Sequence, residues 1–145
     1  MTATVTDITT SHRIEIAAPP ERVWDALTTP DQISKWFFGV ETESDWQVGS
    51  TLVHRGRYQG RAYEDTGEIL ELDPPRRFVH THRSSMSELP DTSEHDERVT
   101  WTLQPSERGT TLTVDEDNLP SEHAKAISDQ SWPQALESLR TLLEP

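Results

Sequence analysis

Apolar side chains recur at every second position, then at helical spacing, then at every second position across the middle of the chain, and finally as a helical stripe. His12 to Ala18 alternates, with Ile14 and Ile16 on one face, and predicts a half-buried strand. Pro19 and Pro20 stop that strand, and a proline suits a first helical turn because its missing N–H would be unpaired there anyway. Val23, Trp24 and Leu27 then fall at helical spacing. Pro30 opens a second short helix, with Thr28 or Thr29 as its cap and Asp31 in the first turn, where the helix dipole favours an acid. Ile33, Trp36 and Phe37 form its buried side, and Gly39 ends it.

From Glu41 the chain turns to β structure. Gly49-Ser50, Gln59-Gly60, Asp73-Pro74-Pro75 and Glu107-Arg108-Gly109 are turn signals, and the segments between them have strand length. Strands are predicted near 41–47, 50–58, 61–72, 76–84, 96–104 and 109–117. Turns at this spacing mean sequential antiparallel hairpins, a meander rather than crossover units. Residues 85–95 read as a long hairpin loop. The last helix opens after Leu119-Pro120 with Ser121 as cap, and Trp132, Ala135, Leu136, Leu139, Leu142 and Leu143 make its apolar stripe. Pro133 lies inside it and predicts a kink or a restart near Ser131. Threonine-rich residues 1–11 read as a flexible leader before a single domain over 12–145.

Composition narrows the partners. Thirteen basic against 26 acidic side chains give a net charge of −13, a surface that repels phosphate backbones and anionic lipid. Nucleic acid is therefore not an expected partner, nor is insertion into a membrane, because no apolar run approaches the roughly 20 residues a span needs. The absence of cysteine excludes disulfides, thiolate chemistry and cysteine-based zinc sites. No signal-peptide pattern opens the chain, so a cytoplasmic location is expected. An acidic docking surface for a protein is the alternative to a simply solvated acidic face.

Four stretches together carry a family resemblance: Ala18 to Leu27 (APPERVWDAL); Gly67 to Phe78 (GEILELDPPRRF); Val99 to Leu103 (VTWTL) with Gly109 to Val114 (GTTLTV); and Trp132 to Leu139 (WPQALESL). In this order they resemble the START-like, birch-pollen-allergen-like (SRPBCC) helix-grip superfamily. Within it the chain is similar to the Aha-type family, named for the C-terminal domain of the Hsp90 ATPase activator. The chain departs from the family pattern at Ser131, where a glycine often stands, and at Asp115-Glu116-Asp117, where many relatives place a histidine. The resemblance implies an α+β helix-grip fold: an antiparallel meander wrapped around a long C-terminal helix, with two short helices after the first strand. It also implies a cavity between sheet and helix that takes a small hydrophobic or aromatic molecule, lipid- or polyketide-like. An enzyme of the cyclase or aromatase type and a partner-binding, co-chaperone-like regulator are the alternatives.

Strand alternation then selects the side chains facing that cavity. Phe78, His80 and His82 share one face of the fifth strand, and Val99, Trp101 and Leu103 one face of the sixth. Leu112 and Val114 share a face of the seventh, and Leu52, His54 and Tyr58 one face of the third. The expected ligand-binding set is Trp36, Phe37, His54, Tyr58, Phe78, His80, His82, Trp101, Leu112 and Trp132. Trp24 and Trp132 also read as core filling. Inward histidines orient a ligand carbonyl or hydroxyl, or move protons near neutral pH, with His80, His82 and Tyr58 as the catalytic candidates; the plainer alternative places them at the sheet rim, satisfied by backbone and water. No carboxylate is clearly aimed inward, the acids at 115–117 read as solvated, and His54 lies roughly 9–10 Å from the other two, loose for zinc. No phosphate loop, nucleophile elbow or metalloprotease helix is present. No metal and no cofactor is expected, and the chain is expected to be a monomer or a weak homodimer.

Overall fold

Proline punctuation and period-two alternation set the element order. The computed structural model describes residues 6–84 and 96–144, apart from the Tyr58 side chain, so the hairpin loop expected at 85–95 lies outside the described residues. Strand β1 (Thr10–Ile16) leads into helices α1 (Pro20–Thr28) and α2 (Pro30–Trp36). Strands β2 (Glu41–Ser44), β3 (Thr51–Tyr58), β4 (Arg61–Asp73), β5 (Arg77–His82), β6 (Glu97–Pro105) and β7 (Thr110–Asp117) follow, then helix α3 (Glu122–Leu143). The strands form one seven-stranded sheet in the order β1-β7-β6-β5-β4-β3-β2, each pair antiparallel. The chain therefore has the helix-grip architecture: β2 to β7 meander, β1 lies alongside β7 with Ile14 opposite Leu112, and α3 packs against β1 and α2.

Several boundaries differ from the sequence expectation, each for a local reason. β1 opens at Thr10, inside the stretch read as a leader, because its hydroxyl donates to Glu116 Oε1 at 3.2 Å. Just upstream, the Thr6 amide donates to Asn118 Oδ1 at 3.0 Å. β2 stops at Ser44, short of 47, and Trp46 takes a φ of +56° that carries its ring off the strand. Thr29 is the N-cap of α2 but accepts no capping hydrogen bond, and Thr28 instead donates back to the Trp24 carbonyl at 2.9 Å. Ser121 does cap α3, accepting from the Ala124 amide at 3.1 Å. That helix runs through Pro133 without a restart. Pro133 is on its exposed side, where water can take up the carbonyl left free one turn earlier.

Trp132, Ala135, Leu136, Leu139 and Leu143 put the α3 stripe into a core that includes Ile16, Val23, Ile69, Leu112 and Val114. Each fully buried aliphatic or aromatic side chain of this kind contributes about 1.5–3 kcal/mol. Gly67 is forced by close approach: a Cβ there would lie 2.0 Å from the Thr81 carbonyl oxygen. The β4–β5 pairing shifts register a little further along, between Ile69 and Glu71. Among the described residues no helix is long and apolar enough to cross a membrane.

Candidate functional site

Sheet, α2 and α3 enclose a cavity of about 370 Å³. Its apolar wall is built around Trp101, from the middle of β6. Trp36 of α2 and Trp132 of α3 both meet the Trp101 ring edge-to-face, at 6.0 and 5.3 Å between centroids. Phe37 stacks on Trp132 at 5.8 Å with 14° between the planes. All three indole N–H groups are used by the protein itself. Trp36 donates to the Ala26 carbonyl at 2.8 Å, Trp132 to Glu116 Oε1 at 2.9 Å, and Trp101 to His80 Nε2 at 3.3 Å. Such anchoring fixes the rings and leaves their faces and edges as the packing surface. Phe38 and Ile127, 60% and 50% exposed, mark where the cavity meets the surface.

The polar wall comes from the far ends of β3 to β7. His82 stands opposite Glu97 in the β5–β6 ladder, and the Thr66–Arg83 bridge brings Asp65 alongside. Its Nδ1 lies 3.0 Å from Glu97 Oε2 and its Nε2 3.1 Å from Asp65 Oδ2. Burial alone pushes this ring's pKa down, but the two hydrogen bonds and the charges behind them outweigh it and raise the value to about 10. His82 is an imidazolium clamped between two carboxylates.

His80 is the opposite case. Its Nδ1–H donates to the Thr81 carbonyl at 2.9 Å while Nε2 accepts from Trp101, so the ring is held as one neutral tautomer. Burial, only partly opposed by the Thr81 carbonyl, drives its pKa down to about 3. Burial also lowers His54 to about 4, with the His82 charge adding to it. His54 Nδ1 and Thr42 Oγ1 share a hydrogen bond of 2.9 Å, and Nε2 has no hydrogen-bond partner among the described residues. Glu116 completes the wall; it is buried, and burial raises its pKa, with Glu97 pushing the same way and hydrogen bonds from Ser128 and Trp132 opposing.

Eight of the ten residues expected at the ligand site line this cavity: Trp36, Phe37, His54, Phe78, His80, His82, Trp101 and Trp132. Leu112 does not; on β7, opposite Ile14 of β1, it is wholly buried in the core. The Tyr58 side chain lies outside the described residues. Trp24 belongs to the core, edge-on to Phe78 at 6.2 Å. The inward carboxylates are the main correction: Asp65, Glu97 and Glu116 all line the cavity, and Glu116, expected in solvent, is 6% exposed. Phase along the strands carried the signal. Glu97 alternates in step with Val99 and Trp101, and Glu116 in step with Leu112 and Val114. Asp117, the neighbour of Glu116, points the other way and pairs with Arg98 at 2.6 Å.

The family model described as activator of Hsp90 ATPase homolog 1-like protein matches residues 17–144. Among solved structures, a Cytophaga hutchinsonii protein is 34% identical, with a TM-score of 0.80 and 94% of each chain covered. The Aha1 dimer from Colwellia psychrerythraea is 25% identical, with a TM-score of 0.75 over 94% of this chain and 96% of that one. CalU16 from Micromonospora echinospora is 26% identical, with a TM-score of 0.68 over 96% of this chain and 76% of that one. No curated protein matches the sequence.

Proposed function

The chain belongs to the activator of Hsp90 ATPase homolog 1-like family, and from that premise we propose that it is a cytoplasmic small-molecule-binding domain. Its ligand is hydrophobic or aromatic, of lipid- or polyketide-like character, and sits between the sheet and α3. The observation that carries this reading is the cavity of about 370 Å³ with three tryptophans anchored around it. That volume is in the range of small-molecule sites, and a wall of rigid aromatic faces with a few convergent polar groups is the usual composition of one. A fully packed core leaves no gap of this size beside its aromatic rings, because side chains facing a void forgo dispersion attraction that nothing else restores.

The cyclase-like alternative asks for a ring nitrogen free to move a proton. His80 has both nitrogens engaged and His82 is clamped as a cation, so among the described histidines of the cavity that reading falls to His54, with Tyr58 the remaining candidate. A protein-partner reading draws on the Colwellia relative, which is described as a dimer, and on exposed Phe38 beside the cavity mouth; sedimentation of the purified chain over a concentration series tests it. Native mass spectrometry of freshly purified protein tests the binding reading, with a retained small molecule expected. Protein that carries none, and whose tryptophan emission is unmoved by a naphthalene-sized apolar probe, overturns it.

A further inference from the structure

The cavity is not electrically neutral, and its charge says what kind of head group the ligand carries. Its described wall contains no lysine and no arginine. The only cation on that described wall is His82, and Asp65 and Glu97 already oppose it from both sides at 3.1 and 3.0 Å. One imidazolium between two carboxylates leaves a surplus negative charge before Glu116 is counted. Glu116 lies on the next strand beyond Glu97, is 6% exposed, and also faces the cavity. The remaining histidines bring no compensating charge, because His80 and His54 are held neutral by burial.

The aromatic wall acts in the same direction. Faces of Trp36, Trp101 and Trp132 carry negative quadrupole density, and a cation placed over such a face is attracted to it. The net charge of −13 draws cations toward the whole molecule. A carboxylate or phosphate head would meet three acids and one cation already committed.

Resting on the binding reading above, we infer that the ligand is a cationic amphiphile: an aromatic or hydrophobic body lodged among the tryptophans, with a protonated amine directed at the Glu116, Glu97 and Asp65 end. A cation there also favours the ionised form of Glu116, whose protonation the burial of that carboxyl otherwise favours.

Three probes of one skeleton test this: naphthylethylamine, naphthylethanol and naphthaleneacetic acid, titrated into the wild-type chain at neutral pH and followed by tryptophan emission and calorimetry. The amine is expected to bind at least about tenfold tighter than the acid, with the alcohol between them; one desolvated charge pair at the effective dielectric of a half-open site is sufficient for that factor. Glu116→Gln keeps the acceptor oxygen for the Trp132 indole while removing the charge, and it should shrink the amine-to-acid ratio. Equal affinities, an acid that binds more tightly than the amine, or a ratio unchanged in a folded Glu116→Gln variant overturns the charge assignment while leaving the cavity a binding site. Failure of all three probes overturns the charge assignment, and where the freshly purified protein also retains no small molecule it overturns the binding reading as well.

Discussion

His82 is held as an imidazolium by carboxylates on both ring nitrogens, and that clamp ties stability to pH. Its folded-state value of about 10 lies above the ordinary 6.5, so its contribution is fully present below pH 6.5 and is lost as pH rises toward 10. Urea unfolding of the wild type is therefore expected to weaken across that window, and His82→Gln should flatten the dependence. The substitution also leaves Asp65 and Glu97 facing one another without the cation between them. The His82 side chain keeps 27% of its surface exposed, so solvent screens part of the penalty, and about 2–3 kcal/mol is expected rather than the upper end for a buried pair. A variant whose stability follows the wild-type pH curve would mean the clamp does not hold the charge. Trp132 offers a second measurement at this scale. Trp132→Phe keeps most of the ring but withdraws the N–H from buried Glu116, which should cost about 1–3 kcal/mol in urea unfolding. Glu116→Gln in that background should recover part of the loss by removing the charge left short of a donor.

Among elements, β4 and β5 approach very closely at Gly67. Gly67 has the Thr81 carbonyl where a side chain would begin, and because that carbonyl is backbone, neither strand can give way cheaply. Gly67→Ala is expected to cost more than about 3 kcal/mol, or to prevent folding outright. Soluble expression with a wild-type unfolding midpoint would refute so close a crossing of the two strands. That glycine also shows how far the sequence could be read. Turn residues, prolines and alternation were enough for the element order, since each is a local signal, and the apolar stripe of α3 is equally local. Gly67 carries no local mark of its crossing, because the atom that excludes a Cβ lies on the neighbouring strand. The polar wall escaped the sequence for a different reason. Glu97 and Glu116 keep the phase of the apolar residues beside them, but an acid in isolation is normally assigned to solvent. The partners of each make burial tolerable, His82 for Glu97 and the Trp132 indole with the Thr10 hydroxyl for Glu116, and none of these pairings is visible before the strands are in register. His54, His80 and His82 share the cavity lining, and the states of His82 and His80 depend on Glu97 and Trp101, 15 and 21 residues away, which strand alternation does not reveal.

At the scale of the whole molecule, two electrostatic effects of opposite sign compete. Arg55 with Glu64, Arg76 with Asp73, Arg77 with Glu71 and Arg140 with Glu137 are exposed pairs that stabilise and that salt weakens. Pairs of this kind contribute about 0–1 kcal/mol each. Against them stands the mutual repulsion of the acids left over from 26 against 13, which acts over long distances and so is screened first. At low ionic strength the Debye length of about 30 Å covers a domain of this size, and at 1 M it falls to about 3 Å, the spacing of a contact pair. Between those limits the long-range repulsion is removed well before the short contacts weaken. Stability in urea is thus expected to rise by about 1 kcal/mol as sodium chloride goes from about 10 mM to about 300 mM, and then to level off. A fall over that range would show that the surface pairs, not the surplus acids, dominate the energetics of this chain.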